Sequence, residues 1–127
     1  MPSEICRPLA DAWNGDVESV WIRSAYWLGS PRPGEAGEFR RLLDEELVPA
    51  MRRLPGVADV RTLWPQRFED DPPDLACQVI VEFANRDDLE CMLACAERQA
   101  LRPHVLHLRS LFEGRLSHID FEVGAQP

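Results

Sequence analysis

From Leu75 to Phe83 the chain alternates without a break, with Leu75, Cys77, Val79, Val81 and Phe83 on one parity and Ala76, Gln78, Ile80 and Glu82 on the other. Successive side chains of a strand point to opposite faces, so a strand gathers this apolar set on one side, whereas a helix would scatter it around its axis. Arg115 to Val123 alternates in the same way, with Ser117, Ile119, Phe121 and Val123 against Leu116, His118, Asp120 and Glu122. Val17 to Leu28 is dense in β-branched and aromatic residues, with Val20, Ile22, Tyr26 and Leu28 on one parity and Trp21, Arg23 and Trp27 on the other. It reads as the first strand. Val57, Val60 and the pair Leu63 and Trp64 outline one more, and the polar stretch Arg67 to Asp74, with Pro72 and Pro73, reads as an exposed connection.

Between the strands the apolar period changes to that of a helix. After the loop Gly29-Ser-Pro-Arg-Pro-Gly34, the residues Phe39, Leu42, Leu43, Leu47, Met51 and Leu54 recur at helical spacing, and Leu54-Pro55-Gly56 ends the run. The first helix is therefore placed over Glu35 to Leu54, with Pro49 predicted to kink it near Glu45 or divide it. Asn85 is a good N-cap, followed by Asp87 and Asp88 in the first turn and a stripe of Leu89, Met92, Leu93 and Ala96, giving a second helix to about Gln99. Pro103 suits the start of a short helix carrying Val105, Leu108 and Phe112, with Gly114 as its stop. The order β-α-β-β-α-β with one extra short helix is the split βαβ pattern. It predicts an α+β, ferredoxin-like domain: a four-stranded antiparallel sheet with its helices on one face. The domain is placed over residues 17–123, with an N-terminal arm over 1–16 and a frayed tail over 124–127.

Composition narrows what such a domain can do. At 127 residues the chain is the size of one core. All 14 basic residues are arginine, which excludes a Schiff-base, phosphate-loop or general-base lysine. With 22 acidic residues the net charge is −8, which disfavours a grip on nucleic acid or an anionic membrane. The aromatic-glycine strand signature of RNA-binding sheets is missing from Cys77 to Phe83. No apolar run reaches the roughly 18 residues that span a bilayer. Cys6, Cys77, Cys91 and Cys95 read as thiols in a reducing cytoplasm, because the first residues carry Glu4, Arg7 and Pro8 where a signal peptide would be apolar. Cys91-x3-Cys95 lacks the second ligand pair of a structural zinc site.

The sheet has a second face that its own two helices cannot cover. Both parities of the first strand are apolar, and Ile80 and Leu116 add to that face in the other strands. A two-fold partner presenting the same face would cover it, since such a contact is self-complementary. A homodimer is the expectation.

The stretch Glu46-Leu47-Val48-Pro49-Ala50-Met51-Arg52-Arg53-Leu54-Pro55-Gly56-Val57, followed by Val79-Ile80-Val81-Glu82-Phe83, a capped helix containing Ala94-Cys95-Ala96-Glu97-Arg98 and a final alternating strand, resembles the dimeric α+β barrel superfamily. The nearest likeness within it is to EthD-like proteins, with antibiotic-biosynthesis monooxygenase-like domains next. The resemblance spans Val17 to Val123. It implies a homodimer with face-to-face sheets and a small-molecule cavity between helices and sheet in each subunit. Characterised relatives include cofactor-free oxygenases, isomerases, dehydratases and haem enzymes. Many EthD-like chains have a histidine just before the helix proline; this chain has Glu46, Leu47 and Val48 before Pro49.

The residues offer several candidate sites. His118 and Asp120 share one strand face about 7 Å apart, close enough for a carboxylate to orient, directly or through water, an imidazole acting as general base. The alternative reading makes them polar groups of an interface. Trp21, Arg23, Tyr26, Trp64, Gln78 and Glu82 are candidates to line a ligand pocket, with Arg23 neutralising Glu82 if their strands are neighbours. Ordinary core packing and structural ion pairing are the competing readings. His104 and His107 stand three apart on the short helix, but no flanking carboxylate motif supports a metal, so none is predicted. Ser19, Ser24 and Ser117 lack a nucleophile-elbow context. The expectation is a homodimer that binds or converts a small hydrophobic molecule without a tightly held cofactor. Its rival is a non-catalytic dimer serving ligand binding or assembly alone.

Overall fold

The computed structural model describes residues 19–124, so the predicted arm over 1–16, the first residues of the predicted strand 1, and residues 125–127 of the tail lie outside the described residues. Strand β1 (Trp21–Pro31) lies between β3 (Leu75–Phe83) and β4 (Phe112–Glu122), and β2 (Val57–Leu63) flanks β3. All neighbours run antiparallel in the order β2-β3-β1-β4. This is the four-stranded ferredoxin-like sheet expected from the element order.

β1 runs on through the predicted loop as far as Pro31, because β4 starts at Phe112 and keeps pairing with it. Gly114, expected to stop the short helix, instead sits inside β4 opposite Gly29. Their φ angles are +142° and +129°, and a Cβ on either would run into a backbone carbonyl of the opposing strand, Leu28 for Gly114 and Glu113 for Gly29. Both positions therefore need glycine for a close strand crossing.

The first helix is continuous and changes pitch where the proline demands it. α1 (Ala36–Leu42) passes into a π turn over Leu43–Leu47 and then α2 (Val48–Met51). Pro49 has no N–H to give to Glu45, and its ring would press on that carbonyl; the wider turn absorbs both without a break. Asn85 caps α3 (Arg86–Ala94), its Oδ1 accepting the Asp88 N–H at 2.8 Å. The second helix does not run on to Gln99: Cys95 turns to extended backbone at ψ 150° before α4 (Ala96–Gln99). α5 (Arg102–Ser110) precedes β4.

The register settles which parity faces the helices. Trp21, Arg23, Ala25 and Trp27 pair with Phe83, Val81, Val79 and Cys77, and the last four are buried. Trp27 meets Phe39 and Phe112 edge-on with centroids 5.2 Å away, at the centre of a core completed by Leu43, Leu89 and Leu108. Leu116 pairs with Trp27 and so lies on the helix side, correcting its assignment to the far face. The outer face carries Ile22, Tyr26, Leu28, Ile80, Ile119 and Phe121, with Ile119 49% and Phe121 41% exposed. Among the described residues no helix is long and apolar enough to cross a membrane.

Candidate functional site

Between the sheet and the helices lies a cavity of about 220 Å³. At roughly 30 Å³ per water it would hold about seven waters, or one compact organic molecule. Its walls come from every layer: Ala25, Val81 and Leu116 from the sheet, Leu47, Met51 and Leu54 from the first helical run, Met92 from α3, and Leu101 and Val105 from the last helical turns. The break at Cys95 splits what would be one long helix, and the short pieces that follow bring Arg98, Gln99 and Arg102 to the rim. Arg23 and His118 complete the lining from β1 and β4.

His118 is opposite Ala25 and exposed at the cavity edge. Partial burial of its ring, reinforced by the positive charges of Arg23 and Arg98, pushes its imidazole below the ordinary 6.5, with Asp120 opposing weakly. At neutral pH it is a neutral ring able to accept a proton. Asp120 is engaged by another partner. Its Oδ1 takes the Arg23 Nη1 at 2.9 Å, a contact fixed by the Arg23–Asp120 pairing in the register, and among the described residues no hydrogen bond joins Asp120 to His118.

The other candidates go elsewhere. Glu82 pairs with Ile22, so it points to the outer face away from Arg23, and its neighbouring cation is Arg61 at 4.0 Å. Tyr26, Trp64 and Gln78 line a broader hollow of about 500 Å³ with Leu28, Leu63 and Phe68. That hollow opens on the outer face. There Gln78 Nε2 donates to Ser24 Oγ at 3.1 Å. From the first helix, the Arg40 guanidinium lies 4.3 Å over the Trp64 ring. Trp21 faces the helix side at the sheet end, under Arg86. The structure thus gathers Arg23 and His118 in the lining of one cavity, places Asp120 beside them, and separates the remaining five from it.

Arg98, Gln99 and Arg102 were not singled out in the sequence. The four-residue spacing of the two arginines was their one signal, and a helix break between them removes the meaning of such spacing. His104 lies 3.9 Å from Glu46, and among the described residues no group of three metal-binding side chains exists. Cys77 and Cys95 are buried thiols, and burial, with the nearby Asp44 charge, pushes Cys77 up to about 12. It is a protonated core residue and not a nucleophile.

No family model matches the sequence, and no curated protein matches it. Solved structures do match. An EthD family protein from Bacillus halodurans superimposes with a TM-score of 0.64 at 14% identity, over 84% of this chain and 99% of that one. SnoaB, a cofactor-independent oxygenase from Streptomyces nogalater, gives 0.54 at 20% identity over 86% and 96%. A dimeric protein of unknown function and ferredoxin-like fold from Bacteroides fragilis gives 0.55 at 11% identity over 85% and 100%. The chain therefore has the ferredoxin-like α+β fold that EthD family and antibiotic biosynthesis monooxygenase-like proteins share.

Proposed function

We propose that this protein is an EthD-like homodimer which uses the cavity between its helices and sheet to bind a compact hydrophobic organic molecule, with His118 as general base. The observation that carries the reading is the His118 imidazole in the wall of a largely apolar cavity. A base poised below neutrality can take a proton from an acidic C–H or O–H of a bound molecule, and Arg23, held by Asp120, presents N–H donors nearby. Chemistry of this kind serves an oxygenase, isomerase or dehydratase that needs no tightly held cofactor, and the likeness to a cofactor-independent oxygenase supports it. The dimer rests on the exposed apolar outer face and on the dimeric relative.

One observation favours a second reading, a binding dimer without turnover: Asp120 is engaged by Arg23, leaving His118 without a carboxylate to fix its tautomer. Native mass spectrometry of purified protein, followed by identification of any co-purifying molecule, tests both. His118→Ala should abolish turnover of that molecule while leaving it bound and the dimer intact. Undiminished turnover would clear His118, and retention of the molecule unchanged by wild-type protein would favour the binding dimer.

A further inference from the structure

The charge lining the cavity is opposite to that of the chain. Acidic residues outnumber basic ones 22 to 14 overall. Yet among the described residues the cavity lining includes Arg23, Arg98 and Arg102 and not one Asp or Glu. Of the three, Arg23 is neutralised by Asp120 at 2.9 Å. Among the described residues no carboxylate lies within 4.0 Å of Arg98 or Arg102. Arg98 Nη1 donates to the Leu93 carbonyl at 3.3 Å, which anchors the side chain, and among the described residues its other N–H donors make no hydrogen bond. Arg102 stands at the exposed start of α5. Two guanidiniums with no carboxylate partner among the described residues thus stand at the rim of an apolar hollow, with Gln99 between them in sequence.

We infer that the ligand is a compact organic acid bound as its anion, its apolar body among Met51, Met92, Val105 and Leu116 and its oxyanion held by Arg98 and Arg102. This rests on the cavity being the ligand site. A guanidinium presents paired N–H donors that match a carboxylate or a phenolate oxygen, and the apolar wall beside it raises the strength of that contact over its value in open water. Two rim cations, with no rim anion among the described residues, reject an ammonium group, which would enter a positive field. A neutral molecule of equal shape would gain the apolar contacts only. Arg98 also acts with Arg23 and partial burial to disfavour the protonated form of His118.

Calorimetric titration of the full chain with 2-naphthoate, its neutral isostere 2-naphthamide and the cation 2-naphthylmethylammonium tests this. The naphthoate should bind about tenfold or more tighter than the amide, the ammonium weakest, with the naphthoate preference shrinking as salt is added. Arg98→Gln with Arg102→Gln should bring naphthoate to within about threefold of the amide without weakening the amide. Because Arg98 also holds Leu93, Arg102→Gln alone provides an independent arm and should cut the preference by about threefold. Leu116→Trp, which fills the cavity, should abolish binding of both. Equal binding of naphthoate and amide, or a preference that survives both arginine substitutions, overturns the anion assignment while leaving the cavity as the site. Failure of all three probes to bind, or binding that survives Leu116→Trp, overturns the cavity reading and this inference with it.

Discussion

Replacing Ile119 and Phe121 together by serine removes the apolar tip of β4 from the outer face and leaves the core untouched. Fully burying a side chain of this size is worth about 1.5–3 kcal/mol. Ile119 still exposes 49% of its surface and Phe121 41%, so covering what remains is worth about 1.3–2.7 kcal/mol per protomer. Two-fold symmetry counts each residue twice, which raises the loss to about 2.7–5.4 kcal/mol. The dimer dissociation constant should therefore weaken by about 10²–10⁴-fold. Sedimentation equilibrium at micromolar concentration reads this directly. Circular dichroism and the thermal midpoint of the isolated protomer should stay near the parent values, since neither side chain belongs to the core. The reasoning fails if the parent protein sediments as a single chain at these concentrations, or if the double variant dimerises within about threefold of it.

Gly114→Ala should lower stability by about 1–3 kcal/mol from backbone strain alone, with more from the contact with the Leu28 carbonyl, read as a fall in urea midpoint. Gly37→Ala, in α1 where a Cβ meets nothing within 4 Å, should instead raise stability by about 0.5–1 kcal/mol. Asn85→Ala removes the acceptor of the Asp88 N–H and should cost about 1 kcal/mol in the same assay. The folded His118 titrates below 6.5, so just under that value the unfolded chain binds more protons than the folded one. Stability contributed by the neutral ring is thus present above 6.5 and declines as pH falls toward the folded value; urea titrations across pH 5–8 should show this slope, and His118→Asn should flatten it.

Much of the fold was legible because it rests on local periodicity. The alternation of Leu75 to Phe83 marks β3 from end to end, and the Asn85 cap starts α3 where an acceptor for the Asp88 N–H was expected. Pro49 signalled a local disturbance of the first helix, and the chain answered with a π turn around Glu45. The misreadings lie where one residue type serves two backbones. Gly114 looks like a helix stop from its neighbours alone, and only the opposing Gly29 shows that it is a strand crossing.

The site was legible in its ingredients and not in their company. His118, Arg23 and Asp120 were all visible as polar groups on strands, yet the partner of Asp120 depends on β1 lying directly beside β4, a contact between residues 97 apart in the chain. The sequence by itself determined the parity of each strand, and hence that two apolar faces exist. Tertiary pairing alone decided that Glu82 turns outward while Arg23 turns inward, and that helical pieces broken at Cys95 bring two arginines over an apolar hollow. The physical reason is that alternation is a property of one backbone, whereas register and charge neighbourhood are properties of how several backbones meet.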